Sequence, residues 1–334
     1  MAVRNSDFDM IAIGDTTQDV FLEVSDANVQ CDLDGANCRI CFDYADKIAA
    51  DTKTDVPAVG NAANHAVGIA RLGLRAAVYT VVGDDVQGHL AHDVLRDNGV
   101  NTDYIVFDRD HGTNFSAVIN YRGERTILVY HEPREYTLPE LAATRWVYLT
   151  SSSGDGVKQL HIQVLEWLRR EPDVQLAFNP GTHQIHLGRQ ELTPLLSHTT
   201  VLFLNREEAA EVLEVTTTDV AELAGQYHAL GVTTVVLTDG PDGSYVSDGT
   251  RIHHLPIFAG PVVERTGAGD SYGAGFMGAL IQGKDVLSAM LWGNANSTSV
   301  VQHIGAREGL LDAAGIEKLL VENSAIVPKE FATL

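Results

Sequence analysis

Apolar residues fall along this chain in short β-branched runs, separated by longer stretches in which they recur at helical spacing. The runs Met10–Gly14, Ala76–Val82, Trp146–Thr150, Val174–Asn179, Val201–Asn205 and Thr234–Thr238 predict buried strands. Several of them end in Gly, Asn, Thr or Ser, residues that turn a chain outward at a strand's carboxyl end. The stretches Asn64–Leu72, Val157–Arg170, Glu207–Leu213 and Val220–Leu230 predict helices; Leu160, Val164, Leu165 and Leu168 form one stripe of the second. Strand and helix alternating this often predict an α/β fold with a doubly wound, mostly parallel sheet and helices on both faces. Ligands in such sheets bind outside the carboxyl ends of the strands.

Two segments break the rhythm. Residues from about 21 to 58 read as polar and irregular. Residues from about 113 to 131 alternate apolar and polar positions around Arg122-Gly123-Glu124, which predicts a hairpin with one exposed face. Together they are expected to form a small β-sheet lid on a single domain spanning 1–334, surface embellishment without function being the alternative.

With 334 residues, 45% of them apolar, the chain can build a core that needs no metal or disulfide. Its 45 acidic residues against 23 basic ones give a net charge of −22, which repels phosphate backbones and anionic lipid and argues against nucleic-acid and membrane partners. A local nest of backbone amides can still hold a small anion against that field. No signal-peptide pattern and no apolar run of bilayer-spanning length is present, so a cytoplasmic location is expected. Cys31, Cys38 and Cys41 are expected as reduced thiols of the lid; half of a structural zinc site is the alternative.

The chemistry concentrates in Val262-Val263-Glu264-Arg265-Thr266-Gly267-Ala268-Gly269-Asp270, which leads into a helix rich in small residues that stops near Gly283. Turns without side chains at Gly267 and Gly269 let successive N–H groups converge at a helix amino terminus, an anion site strengthened by the helix dipole. A carboxylate at Asp270 repels an anion held there unless it has work to do. Accepting the proton of a hydroxyl that attacks a bound phosphoryl group is work that fits. The spacing matches neither a Walker A loop nor a dinucleotide-binding loop. A tight turn serving only helix–sheet packing stays open as the plain alternative.

Thr266-Gly-Ala-Gly-Asp270 with its small-residue helix resembles the second signature of the ribokinase-like (PfkB) family of sugar and nucleoside kinases. Gly60-Asn61-Ala62-Ala63-Asn64-His65-Ala66 through Arg71-Leu72-Gly73 resembles the first, and Val82-Gly83-Asp84-Asp85 and Asn98-Gly99-Val100 continue it. The resemblance implies an ATP-dependent kinase acting on a hydroxyl of a small sugar or a nucleoside, with Asp270 as base and Gly267, Ala268 and Gly269 as anion hole. Loss of catalysis, leaving a nucleotide- or sugar-binding regulator, is the other reading. The resemblance further implies that Asp19, Gly60 and Asn64 meet the acceptor. Asn205 and Glu208 would organise Mg²⁺, largely through water, and the triphosphate. Thr238, Gly240 and Gly243 would form a nucleotide loop, and Asn294 would lie near adenine and ribose. It implies a homodimer through the lid as well.

Departures from the family pattern carry expectations too. One glycine, Gly60, stands after Val59 where two are usual. Glu264-Arg265 precedes Thr266 where relatives carry aspartate and threonine or serine, so K⁺ dependence is open, with Arg265 as an alternative source of charge. Asn61 and His65, in place of lysine or arginine, favour a neutral acceptor. Phe42, Tyr44 or Phe115 would offer a stacking face to a base. Arg122 and Arg125 read as a solvated hairpin tip, and His89/His92 and His183/His186 as surface or satisfied core pairs.

Overall fold

The computed structural model describes residues 6–32 and 38–334. From the core strand β1 (Phe8–Ile13) the chain passes outward through β2 (Thr17–Glu23), β3 (Asn28–Cys31), β4 (Cys38–Cys41) and β5 (Thr52–Val59). It returns by α1 (Asn61–Arg71), β6 (Ala76–Gly83), α2 (Val86–Asp97) and β7 (Ile105–Asp108), then makes the hairpin β8 (Asn114–Tyr121) and β9 (Glu124–Tyr130). The second half runs through β10 (Thr144–Leu149), α3 (Val157–Arg170), β11 (Gln175–Phe178), α4 (Thr182–Ile185), α5 (Arg189–Leu196), β12 (Thr199–Asn205), α6 (Arg206–Leu213) and α7 (Val220–Ala229). It closes with β13 (Thr234–Thr238), β14 (Ser244–Ser247), β15 (Arg251–Leu255), α8 (Ala268–Ile281), α9 (Val286–Val300), α10 (Ala313–Glu322) and β16 (Lys329–Thr333).

Ten strands form one sheet in the order β16-β15-β14-β13-β12-β11-β10-β1-β6-β7. Pairing is parallel from β13 across to β7 and antiparallel from β14 to β16. The order reverses at β1, which lies between β10 and β6, and that reversal opens a crevice at the carboxyl ends of the strands. Both faces are covered, as the fully apolar strands require. Ile11 and Ile13 point into the cluster with Leu160 and Val164 of α3, while Met10 and Ala12 face the clusters containing Ile69 and Ala66 of α1. On the second face, α8 and α9 approach backbone to backbone: a methyl group on Gly275 would lie 2.5 Å from the Trp292 carbonyl oxygen. The doubly wound α/β architecture is thus present as the hydrophobic pattern predicts.

Beside it stands a four-stranded sheet, β5-β2-β8-β9, and the two-stranded ribbon β3-β4. The hairpin over 113–131 forms as expected. The segment 21–58 does not stay irregular: β2 begins ahead of it and β3, β4 and β5 lie within it. β3 and β4 are half-exposed or exposed and β5 is buried only at Ala58 and Val59, so no apolar alternation betrays them. The expectation for the cysteines also fails. Cys31 and Cys38 are register partners across β3–β4 and form a disulfide, leaving Cys41 as the free thiol. With two sulfurs bonded to each other the half-zinc reading falls, and no group of three or more His, Cys, Asp or Glu poised for a metal ion occurs among the described residues. No helix among them is long and apolar enough to cross a membrane.

Candidate active site

The segment before α8 is pinned to the end of α9, because the amides of Val263 and Glu264 both donate to the Val301 carbonyl. Gly267 then turns in the left-handed region (φ 77°), where a side chain would also strike Ala306, and α8 starts. Its i→i−4 ladder opens with Ser271 N–H donating to Gly267 O at 2.9 Å. Ala268 N–H is engaged by Arg265 O at 3.3 Å, so of the amides expected in the nest that one is turned back on the chain. The N–H groups of Gly269 and Asp270 meet no carbonyl among the described residues. Above Gly269 there is open space, with no atom within 4 Å of where a Cβ would stand. Free amides at a helix amino terminus facing a void form a cradle for an anion.

Asp270 borders that cradle and is 8% exposed. Asn64, the fourth residue of α1, donates from Nδ2 to Asp270 Oδ2 at 2.8 Å. Burial pushes the Asp270 carboxyl up to about 6, against the downward pull of the Asn64 bond. Beneath them His65 stacks on Tyr148 with ring centroids 3.4 Å apart and sets Nε2 3.2 Å from Met10 Sδ. His65 therefore faces the core, where burial lowers it to about 3, and says nothing about the charge of an acceptor.

Asp19 lies on β2 opposite Val56 of β5 and Ser116 of β8. Three buried oxygens there have no partner among the described residues: Asp19 Oδ1, Asn64 Oδ1 and Thr16 Oγ1. Unpaired buried oxygens cost free energy unless something supplies them with protons, and a polyhydroxylated molecule does so. Burial raises Asp19 to about 6, the Ser116 bond lowers it, Glu264 raises it, and Arg307 and Arg125 lower it. Asp15, before β2, is fixed by the hydroxyls of Tyr136 and Ser153. Gly60 caps α1 with φ 104°, and Ala58 just before it is also left-handed (φ 58°).

Two arginines that sequence reading did not place in the site stand near Asp19. Arg307, 9% exposed, donates from Nη2 to Pro57 O, and its Nη1 has no partner. Burial, with Arg71 as a like-charged neighbour, draws it down to about 10. Arg125 is not a solvated tip: from β9 it reaches Glu264 Oε1 at 3.3 Å. Arg122 alone is the tip, in the left-handed region with its guanidinium over the Tyr121 ring. Glu264 Oε1 also accepts from Thr266 Oγ1, and Oε2 accepts from Gly305 N at 2.7 Å. With both oxygens taken by protein donors and a guanidinium alongside, this carboxylate does not fit a K⁺ ligand, while Arg265 points to solvent. Neither contact has a local sequence signal, since each joins residues more than a hundred positions apart.

The elements expected to meet the nucleotide lie further along the crevice. Asn205 ends β12 in register with Thr238 of β13. Asn205 and Glu208 cap α6 reciprocally: Oδ1 takes the Glu208 amide at 2.7 Å, and Glu208 Oε2 takes the Asn205 amide at 2.9 Å. Glu208 Oε1 keeps no partner among the described residues, and burial raises this carboxyl. One free carboxylate oxygen suits Mg²⁺, which retains most of its waters. After Thr238 the chain turns through Gly240–Asp242 and Gly243 (φ 95°), and Asp239 is held by Arg206 Nη1 at 2.6 Å. Ser244 meets the Tyr272 hydroxyl of α8 at 2.9 Å, tying this loop to the helix that carries the cradle. Asn294 donates to Pro256 O at 2.9 Å and so steadies the segment after β15. Of the suggested stacking residues, Tyr44 is fully exposed, Phe42 and Phe115 are 37% and 39% exposed, and Phe115 lies on β8 next to Ser116, the register partner of Asp19. His89 pairs with Asp84 and His186 with Glu211, as surface histidines do.

The pfkB family carbohydrate kinase pattern matches residues 26–313. An uncharacterized sugar kinase of Archaeoglobus fulgidus is 28% identical over 253 residues, covering 73% of this chain and 98% of that protein. Ribokinase of Bacillus subtilis is 28% identical over 268 residues (78% and 87%), and a nucleoside kinase of Methanothermobacter thermautotrophicus 27% identical over 262 residues (76% and 81%). Among solved structures, the Methanocaldococcus jannaschii nucleoside kinase superposes with a TM-score of 0.76 at 20% identity, covering 95% of this chain and all of that one. Arabidopsis thaliana ribokinase, solved with ribose and ATP, gives 0.76 at 22% identity, covering 94% and 98%. The chain belongs to the pfkB family of carbohydrate kinases, phosphotransferases whose acceptor is an alcohol.

Proposed function

We propose that the protein transfers the γ-phosphoryl group of ATP to a hydroxyl of a small sugar, with Asp270 as general base. The observation that carries this reading is Asp270, buried and oriented by Asn64, beside the free amides of Gly269 and Asp270. Asp270 takes the proton of the acceptor hydroxyl as that oxygen bonds to the γ-phosphorus and the bond to the ADP oxygen breaks. The Gly267–Gly269 turn holds the phosphoryl oxygens, on which negative charge is concentrated throughout the transfer. Asp19 and Asn64 accept hydrogen bonds from acceptor hydroxyls through the oxygens that now lack partners. Gly60 lets the chain turn from β5 into α1 beside them.

ATP would lie along Thr238, Gly240, Gly243 and Asn294. Mg²⁺ bound through water to Glu208, next to Asn205, would neutralise triphosphate charge. No step runs through K⁺, because Glu264 is already satisfied. The β5-β2-β8-β9 sheet and the β3-β4 ribbon, about 21–58 and 113–131 of a single 1–334 domain, act as a lid that excludes water. Ile127, Leu128, Val129 and Tyr130 are exposed on its β9 edge, which supports pairing of two copies there, and the net charge of −22 supports a small-molecule role over nucleic-acid or membrane partners, with the cytoplasm as the proposed location. A nucleoside acceptor is the second reading, favoured by the likeness to nucleoside kinases.

ADP release measured against a panel of sugars and nucleosides tests the proposal. Turnover with one of them, lost in Asp270→Asn, is the expected result. ATP binding without turnover of any acceptor would instead identify a non-catalytic binder.

A further inference from the structure

Glu264 is the meeting point of four parts of the molecule. Its backbone amide is fixed to Val301, Oε2 holds the Gly305 amide, and Oε1 holds the Thr266 hydroxyl next to the turn at Gly267. The fourth contact comes from outside the main sheet: Arg125 on β9, whose side chain is 30% exposed against 9% for Glu264. A buried carboxylate with one cationic partner depends on it far more than a surface pair does, because removing the cation leaves the charge uncompensated. That cation rides on the small sheet.

We propose that Arg125 is a positioning residue: carried on the lid hairpin, it clamps the Glu264 carboxylate that braces the amide nest, so that the nest takes its working shape only while the lid lies over the site. The proposal rests on the kinase reading above. Its consequence is that lid closure and assembly of the phosphoryl cradle are one event. An open lid leaves Thr266 and Gly305 less firmly held and the amides of Gly269 and Asp270 less well aimed, which suppresses transfer to water before an acceptor is enclosed.

Hydrogen exchange on the full chain tests this without any acceptor. Arg125→Ala should speed exchange of the hydrogen-bonded amides of Glu264, Ala268 and Gly305 by about tenfold, with the main-sheet strands unchanged and Arg125→Lys recovering part of the protection. Unchanged exchange at those amides overturns the proposal. In turnover assays with ribose and with adenosine, Arg125→Ala should lower kcat at least tenfold, leave the KM for ATP within twofold, and leave the affinity for MgADP unaltered. Adding it to Glu264→Gln should cost nothing further, since both changes cut the same contact. Losses that multiply, or a rise in KM alone, also overturn it. Asp270→Asn keeps the two readings apart: full turnover in that variant defeats the assignment of the base, whereas full turnover in Arg125→Ala defeats only the clamp.

Discussion

Asn64 and Asp270, 206 residues apart in sequence, meet through one hydrogen bond of 2.8 Å, from the Asn64 amide to the Asp270 carboxylate. The amide donor fixes which oxygen of Asp270 is committed, while Asn64 Oδ1 keeps no partner among the described residues. On the proposed reading, a base and an acceptor-binding group are thereby oriented by each other. Replacing Asp270 with Asn should reduce turnover at least a hundredfold, roughly the loss expected when a positioned base is removed. Titration calorimetry with MgADP should give an affinity within about twofold of the parent.

Burial sets Asp270 and Asp19 both near 6, above the ordinary carboxylate range. As pH falls through about 6 the base is protonated first from its active, charged form, so kcat should drop along an acid limb centred there. A profile of kcat against pH that stays flat down to 5 would contradict this assignment.

The same raised values act on stability with the opposite sense. Between its unfolded value near 3.8 and its folded value near 6, Asp270 binds its proton more tightly in the folded chain, so folding loses stability as pH rises through that window. At pH 7.5 the charged, buried carboxylate destabilises the fold by about 3 kcal/mol on this order-of-magnitude basis. Asp270→Asn should therefore melt higher than the parent at pH 7.5, and the difference should shrink toward pH 4, as read by thermal denaturation.

Gly267 and Gly269 should respond differently to alanine. Gly267 has a positive φ and Ala306 in the way, so Gly267→Ala should destabilise the chain by about 2 kcal/mol or more. Gly269 has open space above it, so Gly269→Ala should unfold with the parent yet lose about a hundredfold in kcat, because the added methyl group invades the cradle. Denaturant melts and steady-state rates on the two variants separate packing from chemistry.

Arg206 braces the nucleotide loop through Asp239 and the Thr218 carbonyl. Arg206→Ala leaves Asp239 without that partner, and the KM for ATP should rise several-fold with a smaller change in kcat.

Much of this was legible in the chain. The core strands announce themselves because burial on both faces demands unbroken apolar runs, and Val157–Arg170 is a helix with the boundaries its stripe predicts. The glycine turn at Gly267 and the start of α8 could be read because the residues that shape them are neighbours in sequence. The exposed strands β3 and β4 could not, since no apolar alternation marks a strand that packs against little. The clamp at Arg125–Glu264, the brace at Arg206–Asp239 and the inward turn of His65 are products of tertiary approach, with no spacing in the sequence to reveal them.

The contact of Gly275 with the Trp292 backbone bears on how such an enzyme can diversify. With no side chain to act as a spacer, α8 cannot slide against α9 without a collision, and the phosphoryl-handling half of the catalyst is effectively frozen. Variation that alters which alcohol is phosphorylated must then accumulate on the outlying strands, so a mutational library restricted to β2, β5, β8 and β9 should yield many more altered yet working catalysts than one spread along α8.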